Sequence, residues 1–302
     1  MSQTTNAAAT PPRVLVITPA RDEARFLPDM IRAMVAQTLR PVAWILVDDG
    51  SSDATGTIAT AAAAEHDWIH VVRREREGSR ALGGGVIRAF QAGLDSHTGP
   101  DWDYVAKVDA DLTFGPDYLR AAVEHLEQDP GLAAVSGKVY RNEAGRDVEE
   151  FLIDEMVAGC WKLYRRAAFA DIGGFHPAIM WDGIDIHRAR MAGWRTASIR
   201  DGRMRILHHR LMGSSDKNVL RGRMRWGLGQ WYLGSHPLYT LAASLFRMRE
   251  KPFVIGGLLI FWGYVKAALR GVPRYEHPGF RRALRSWQFA RLGRVLRLGG
   301  VR

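Results

Sequence analysis

The chain has 302 residues, of which 47% are hydrophobic and 25% are charged, and its formal net charge at pH 7 is +10. These values are typical of a globular protein and exclude a wholly disordered or low-complexity chain. The single cysteine, Cys160, excludes an internal disulfide framework and a zinc site built from several cysteines, and it fits a reducing compartment.

The charge is divided unevenly along the chain. Residues 203–302 contain 20 Lys and Arg against three acids and carry a net charge of +17, which leaves residues 1–202 with a net charge of −7. Such asymmetry indicates that the C-terminal third meets an anionic partner. Nucleic acid, anionic lipid headgroups and a phosphorylated substrate are the candidates.

Apolar runs alternate with segments of helical spacing from Arg13 onward. Residues 1–12 lack the basic and apolar regions of a signal peptide, so we expect a disordered tail on a protein that stays in the cytoplasm. Strands are predicted at 14–17, 44–47, 69–72 and 104–108, and helices at 27–35, 57–65 and 84–94. This alternation predicts an α/β, doubly wound fold with a mostly parallel sheet covered on both faces. Such sheets bind ligands beyond the carboxyl ends of their strands.

The alternation weakens beyond residue 130. The predicted elements there are a strand at 133–139, a helix at 149–157, a strand, short helix and Gly-Gly turn within 159–175, and a helix at 184–192. Gly193 follows the last of these, as glycine often does at a helix end. From Lys217 onward the chain is predicted to be a basic helical extension.

Acidic side chains follow two of the predicted strands. Asp48 and Asp49 end the second strand, and Asp109 and Asp111 end the fourth. Residues two apart in an extended chain point the same way, and carboxylate oxygens are ligands that Mg²⁺ and Mn²⁺ prefer. The spacing is therefore that of a divalent cation bridging the protein and a nucleotide diphosphate, or of turn carboxylates that bind nothing.

Three motifs taken together resemble the family 2 glycosyltransferases of GT-A fold. They are Thr-Pro-Ala-Arg-Asp-Glu at 18–23, Asp-Asp-Gly-Ser at 48–51 and Asp-Ala-Asp at 109–111, in matching order and spacing. The resemblance extends over about residues 13–235. It implies an enzyme that uses a nucleotide-diphospho-sugar and, as in most of the family, inverts the anomeric centre.

The resemblance also implies roles for single residues. It implies that the nucleotide is lined by Pro19, Ala20, Glu23 and Asp49. It places Asp109 near the diphosphate and assigns Asp111 to Mg²⁺ or Mn²⁺. The glycines at 83–85 stand where the family closes over the nucleotide, although a turn before a helix would also favour glycine. Asp22 replaces the asparagine that usually precedes the glutamate.

An inverting transfer needs a general base for the acceptor hydroxyl. The family's base is an aspartate followed by an arginine six residues on and a glycine five residues beyond, and Asp182, Arg188 and Gly193 have this spacing. The resemblance therefore assigns Asp182 as the catalytic base. Asp185 is an alternative base and Asp171 a weaker one, and Asp182 could instead cap the helix that follows.

The C-terminal third contains a second candidate for diphosphate binding. Arg225 and Trp226 resemble the end of the Gln-x-x-Arg-Trp motif of polysaccharide synthases in the family, with Gly222 in place of the leading glutamine. A guanidinium can grip a diphosphate and an indole can stack on an acceptor. A surface helix with solvated arginines is the alternative. His208 or His209 could complete the shell of a metal.

Residues 253–269 form a largely apolar run that contains one lysine. A spanning helix needs about 20 apolar residues, so an in-plane or re-entrant helix is favoured over a span. Beyond it, Phe280, Leu284 and Trp287 share one helix face among arginines. Residues 236–302 are therefore predicted to associate with an anionic membrane surface, the alternative being a helical hairpin packed on the catalytic domain.

The resemblance implies an inverting, metal-dependent transfer of a sugar to a lipid-linked or polysaccharide acceptor in bacterial envelope or exopolysaccharide synthesis. The predicted location is the cytoplasmic face of the inner membrane. The alternatives are a nucleotidyltransferase that makes activated sugars and a basic nucleic-acid-binding protein. Residues 18–23 lack the glycine-rich basic loop of the former, and the chain has no recognisable motif of the latter, so no nucleic-acid partner is expected.

Overall fold

The structure is a computed structural model that describes residues 11–75, 83–210 and 219–299. Its strands are β1 (Val14–Ala20), β2 (Ala43–Asp48), β3 (Ile69–Arg73), β4 (Tyr104–Val108), β5 (Leu112–Phe114), β6 (Leu132–Gly137), β7 (Val139–Glu143), β8 (Arg146–Glu149), β9 (Trp161–Arg165), β10 (Arg195–Ile199) and β11 (Ile206–His208). Its helices are α1 (Leu27–Val35), α2 (Thr55–Glu65), α3 (Gly84–Ser96), α4 (Tyr118–Gln128), α5 (Arg166–Asp171), α6 (Trp181–Met191), α7 (Val219–Leu233), α8 (Pro237–Phe246), α9 (Ile255–Leu269) and α10 (Phe280–Gly299).

Seven strands form one sheet in the order β10-β6-β9-β4-β1-β2-β3, and all of them are parallel except β9. The central strands are buried on both faces, because Val14 and Val16 of β1 pack into one hydrophobic cluster while Leu15 and Ile17 pack into another. Strands buried in this way require helices on both sides of the sheet. The predicted α/β fold with a mostly parallel sheet is therefore confirmed.

The helix predicted at 149–157 is wrong. Glu149 ends strand β8, and residues 150–157 form turns and irregular chain. Strands β7 and β8 pair just before them as a hairpin within a second sheet of order β5-β11-β7-β8. Ala144 and Gly145 at the hairpin turn have positive φ angles of 49° and 83°, as a two-residue hairpin turn requires. The pairing ends with Glu150 N, which donates to Val139 O at 2.8 Å.

Two other boundaries differ from the predictions. The strand predicted at 133–139 is divided at Lys138 between β6 and β7, which lie in different sheets. Helix α6 begins at Trp181, three residues before its predicted start, so that Asp182 lies in its first turn. Gly193 follows this helix with a φ of 88°, as predicted for a helix end.

The apolar run at 253–269 forms helix α9, which has 15 residues. Among the residues that the structure describes, no helix combines the length and the apolar character needed to cross a bilayer. Helix α9 crosses α7 at glycines: a Cβ added at Gly227 would overlap Ile260 O, and one added at Gly263 would overlap Met224 O. Glycine is therefore required where the two helix backbones meet.

Helix α10 packs against the α/β part of the chain. Phe280 and Leu284 are buried in a cluster with Ile184 of α6 and Leu233 of α7. The apolar face that the sequence suggested for a membrane is thus covered by protein, as the helical-hairpin alternative requires. Membrane association of residues 236–302 stays a prediction that must depend on other surfaces.

We expect Gly227→Ala to lower the free energy of unfolding by about 1–3 kcal/mol, because the new Cβ would force α7 and α9 apart. Gly293→Ala in α10 is the matched control, since its Cβ meets no atom within 4 Å and alanine favours a helix by up to about 1 kcal/mol. Urea unfolding followed by circular dichroism measures both changes. Equal stabilities of the two variants would contradict the close crossing.

Candidate active site

The carboxyl ends of β4, β1 and β2 lie side by side at one edge of the large sheet. Ala20 at the end of β1 pairs with Asp48 at the end of β2, and Ala20 O accepts a hydrogen bond from Asp49 N at 2.9 Å. Asp109 directly follows β4. One edge therefore carries both the residues predicted to line a nucleotide and those predicted to meet its diphosphate.

Hydrogen bonds tie the loop after β1 to the loop after β2. Asp22 has a positive φ of 54°, a conformation that aspartate and asparagine tolerate better than most residues. Its carboxylate accepts from Ser52 N at 2.8 Å, and its own N–H donates to Ser51 Oγ at 3.1 Å. Glu23 N donates to Thr55 Oγ1 at 2.8 Å. The aspartate that replaces the expected asparagine thus holds the two loops together.

Asp48 and Asp49 have different surroundings. Asp48 turns into its own loop, where its Oδ1 accepts a backbone N–H at 2.9 Å. Asp49 faces Arg74, whose Nη1 lies 2.5 Å from Asp49 Oδ1. Burial raises the pKa of Asp49, and the charges of Arg74, Arg21 and Arg88 oppose the rise. Asp49 is therefore the acid of this pair that lies among guanidinium groups at the sheet edge.

The two aspartates after β4 are stabilised by different cations. Lys107 Nζ donates to the carboxylate of Asp109, whose pKa is raised by burial despite that charge. Asp111 Oδ2 accepts from Arg210 Nε at 2.7 Å and lies 3.3 Å from His208 Nε2. Burial opposes the ionisation of Asp111, but His208 and Arg210 outweigh it and hold its pKa well below the usual range. Asp111 is thus an ionised carboxylate at neutral pH.

Asp111 and His208 are a suitable pair of ligands for a divalent cation. Adjacent ligands of an octahedral ion at about 2.1 Å lie about 3 Å apart, and the observed separation of Asp111 Oδ2 and His208 Nε2 is 3.3 Å. His208 is buried, and its Nδ1 has no hydrogen-bond partner within the described part of the chain. That part contains no group of three or more His, Cys, Asp or Glu side chains placed for a metal. A cation here would therefore share its shell with a ligand such as a diphosphate.

Arg210 is a residue of the site that the sequence analysis did not single out. It bridges the carboxylates of Glu23 and Asp111. Burial raises the pKa of Glu23 to about 7, although the ion pair with Arg210 lowers it. Arg210 donates to the same Asp111 oxygen that faces His208, so a cation could bind that oxygen only after Arg210 releases it.

Asp182 lies close to the strand-end acids. Its Oδ2 packs against Gly159, where an added Cβ would lie only 2.8 Å away. The next residue, Cys160, accepts a hydrogen bond from Asp109 N at 2.8 Å through its carbonyl oxygen. Asp182 and Asp109 therefore both contact the two-residue segment 159–160, so the candidate base and the candidate diphosphate site are neighbours.

The alternatives for Asp182 do not fit this geometry. The residue at the N-cap of α6 is Met180, and no side chain caps the helix, so Asp182 is not a capping residue. The Asp185 carboxylate is 0% exposed and accepts from Lys162 Nζ at 2.6 Å and from Tyr164 Oη at 2.8 Å. Asp182 is partly exposed, so a substrate can reach the carboxylate of Asp182 but not that of Asp185.

The strand-end acids Glu23, Asp49, Asp109 and Asp111 fall within a segment that matches a known family, and Asp182, His208 and Arg210 follow it in the chain. Residues 15–152 match the family model described as glycosyl transferase family 2. They are a glycosyl transferase family 2 domain. The match favours the glycosyltransferase interpretation over the nucleotidyltransferase and nucleic-acid-binding alternatives.

Curated relatives in this family are glycosyltransferases. The chain is 33% identical over 135 residues to a polyprenol monophosphomannose synthase of Mycolicibacterium smegmatis, a match that covers 43% of this chain and 48% of that protein. It is 25% identical over 170 residues to the glycosyltransferase GlyG of Streptococcus pneumoniae, covering 52% and 53%. The chain thus spans about half the length of these relatives.

Solved structures share the fold. A mannosyltransferase of Pyrobaculum calidifontis, solved with GDP-Man and Mn²⁺, aligns with a TM-score of 0.55 at 19% identity, over 96% of this chain and 81% of that one. Residues 1–349 of S. aureus TarS, solved with UDP, align with a TM-score of 0.52 at 16% identity, over 72% and 65%. These alignments confirm the GT-A fold class.

Two of the predicted or alternative residues have partners away from the strand-end acids. Trp226 of α7 lies under Arg247, whose Cζ is 5.1 Å from the centre of its ring. Asp171 at the end of α5 accepts from Trp194 Nε1 at 2.8 Å. His209 lies beside the site, because its N–H donates to Asp111 O at 3.1 Å and its ring stacks on Phe26. Arg225 lies one residue before Trp226 on α7. Diphosphate binding by Arg225 and Trp226 stays a prediction.

The glycines before α3 lie against the chain that leads into α6. A Cβ at Gly83 would lie 2.7 Å from Ile179 Cα, and one at Gly84 would lie 2.7 Å from Pro177 O. Gly83 also has a positive φ of 73°. Glycine is therefore required at these two positions, where the start of α3 packs against the segment before Asp182. Closure of the glycines at 83–85 over a nucleotide stays a prediction.

The sequence analysis also missed two buried lysines, Lys107 and Lys162, which contact Asp109 and Asp185. A signal for them was present, because each is the one charged residue enclosed within an otherwise apolar or aromatic strand segment. A lysine in such a position is seldom buried without an acidic partner.

The pKa of Glu23 predicts a pH-dependent stability. Between its ordinary value of 4.5 and about 7 in the folded protein, the folded state binds more protons than the unfolded state. The free energy of unfolding therefore falls as the pH rises through this window, by about 1–3 kcal/mol from this group. Glu23→Gln should remove that part of the fall, as measured by urea unfolding at pH 5 and pH 8. Equal pH dependence in both proteins would contradict the raised pKa.

Proposed function

We propose that this protein transfers a sugar from a nucleotide-diphospho-sugar to a hydroxyl of a lipid-linked acceptor, with inversion at the anomeric carbon and with a divalent cation. The observation that carries the proposal is the proximity of two acids, since Asp109 and Asp182 both contact residues 159–160. A donor diphosphate beside the first acid and an acceptor beside the second would therefore lie close together. An in-line displacement needs that arrangement.

The donor side offers cations for a diphosphate. Arg210, Arg74 and Arg88 lie around the strand-end acids, and guanidinium groups bind phosphate oxygens in pairs of hydrogen bonds. Asp111 and His208 would hold Mg²⁺ or Mn²⁺. When bound, the cation would stabilise the negative charge that develops on the departing diphosphate. The Mn²⁺ in the Pyrobaculum calidifontis enzyme supports this assignment.

The acceptor side offers a base. Asp182 is partly exposed and its carboxylate packs against Gly159. Its carboxylate would take the proton of the acceptor hydroxyl while the oxygen attacks the anomeric carbon from the face away from the diphosphate. The fully buried Asp185 has no route to an acceptor.

Transfer to a polyprenol phosphate is a second candidate, favoured by the names of the relatives from Mycolicibacterium smegmatis and Micrococcus luteus. The relative from Micrococcus luteus is an undecaprenyl-phosphate mannosyltransferase that is 32% identical over 112 residues. A phosphate monoester is largely ionised at neutral pH and needs little help from a general base. The two candidates therefore differ in how much Asp182 contributes to the rate.

For a hydroxyl acceptor, we expect Asp182→Asn to lower kcat by about 10²–10⁴-fold, because the amide cannot accept the proton. Nucleotide affinity, measured by titration with UDP and with GDP, should not change. Asp171→Asn, a substitution of the exposed alternative base, should keep near-normal turnover. Sugar transfer from a panel of UDP- and GDP-sugars to membrane lipid extracts provides the rates. A loss below about tenfold in the first variant would reject the base and favour the phosphate acceptor.

A lipid-linked acceptor requires access to a membrane, and the helices α8 and α9 offer a surface for it. Large apolar side chains are more than one-third exposed on these helices and on the residues between them, namely Leu238, Leu241, Leu245, Phe246, Phe253, Val254, Ile255, Leu258, Trp262 and Leu269. Arg249, Lys251 and Arg270 are exposed nearby. We call this the α8–α9 surface. Apolar side chains ringed by cations match an anionic bilayer, so peripheral binding is proposed here in place of a membrane span.

Replacing Leu245, Leu258 and Trp262 together by serine should weaken binding to phosphatidylglycerol vesicles by at least about tenfold, since three exposed apolar groups would be lost. Val35→Ser with Val148→Ser, at exposed apolar residues elsewhere, should bind like the unchanged protein. Vesicle flotation at low and high salt measures both. Undiminished flotation of the triple variant would contradict the assignment of the α8–α9 surface.

A further inference from the structure

Two buried lysines lie opposite each other on the antiparallel strands β4 and β9. Lys107 and Lys162 are register partners, and their side chains are 2% and 0% exposed. Their Nζ atoms lie 5.0 and 4.9 Å from the ring centre of Trp181 at the start of α6. An indole face attracts ammonium groups, so Trp181 is held by both lysines.

Each ammonium group also has hydrogen-bond partners at the site. Lys107 Nζ donates to the carboxylate of Asp109 and, at 2.9 Å, to Gly159 O. Lys162 Nζ donates to Asp185 Oδ2 at 2.6 Å and to the backbone carbonyl of Asp182 at 3.0 Å. Buried charges are costly unless they are paired and hydrogen-bonded, so these contacts fix their partners closely.

The start of α6 lacks the usual means of fixing a helix end. Met180 at the N-cap has a left-handed φ of 61°, and no side chain caps the helix. Such a conformation costs a non-glycine residue about 1–3 kcal/mol. The first turn, which carries Asp182, is therefore held by the contact from Lys162 to the Asp182 carbonyl and by the packing of Trp181.

We propose that Lys162, with Asp185 and Tyr164 behind it, is a positioning residue that holds the Asp182 carboxylate against Gly159. This inference rests on the proposed role of Asp182 as the base. Lys162 touches no substrate in this account and acts only through the backbone of α6. A displacement of about 1 Å at a reacting group can lower a rate by about 10²-fold, so loss of this contact should affect turnover more than donor binding.

The test uses the full-length double variant Lys162→Met with Asp185→Leu. A single change would leave one buried charge without its partner, whereas removing both charges commonly preserves stability. We expect kcat to fall about 10–100-fold while the KM for the nucleotide-sugar stays within about threefold. Lys138→Met, which removes a buried lysine that donates to Leu152 O, Asp154 and Ser198, none of them in α6, should leave kcat nearly unchanged.

A second measurement separates this inference from the proposed function. In the background of Asp182→Asn the double variant should lower kcat by no more than about threefold, because its effect passes through Asp182. The positioning role would be overturned by a folded double variant with normal kcat. It would also be overturned if the double variant lowered kcat by the same about 10–100-fold in the Asp182→Asn background. Normal turnover of Asp182→Asn alone would reject the proposed base instead, and the positioning role with it.

Discussion

Carboxylates crowded at one edge of a parallel sheet repel one another, and the rest of the candidate site compensates for that repulsion. Each acid that is held there has a cation beside it: Arg74 faces Asp49, Lys107 faces Asp109, and Arg210 bridges Glu23 and Asp111. A divalent cation would be attracted by these acids, and a diphosphate would be attracted by the cations beside them. The edge is thus electrostatically prepared for a metal-bound nucleotide, with Arg210 holding part of that position.

The antiparallel strand β9 gives this edge its second half. It inserts between β4 and β6, and its pairing with β4 brings residues about 50 positions apart in sequence into contact. The segment 159–160 leads into β9 and contacts both Asp109 and Asp182. In a purely parallel sheet the fourth strand would have another neighbour, and the candidate base and the diphosphate site would not be joined by two residues.

Local sequence patterns predicted much of this fold. Apolar strands alternating with helices up to residue 108 are present nearly as predicted, and β1, β2 and β4 are buried on both faces. The failures come from contacts between distant parts of the chain. Residues 149–157 have a helical pattern, but Glu149 pairs in the β7–β8 hairpin and residues 150–157 are irregular. Arg210 gained its role through partners that lie far away in the sequence, and such contacts leave no local periodicity.

The C-terminal helices show the same limit. A largely apolar run such as 253–269 favours a membrane from composition alone, yet Gly263 lies against α7, Gly257 lies against α8, and Ile260 is buried. Only the exposed apolar side chains of the run belong to the α8–α9 surface. Phe280 and Leu284 of α10, chosen from the sequence for membrane contact, pack against α6 instead. Composition therefore indicated an apolar contact in this region, and only the packing distinguishes the surfaces that protein covers from those left open.

The central claim is that Asp111 and His208 hold a cation whose diphosphate lies close to Asp182. Anomalous diffraction at the manganese edge, from crystals grown with Mn²⁺ and the preferred nucleotide-sugar, tests it most directly. The account predicts a manganese peak within about 2.3 Å of both Asp111 and His208, with Arg210 moved from Asp111 onto the diphosphate and the Asp182 carboxylate facing the anomeric carbon. A manganese peak away from Asp111, or an anomeric carbon out of reach of Asp182, would contradict it.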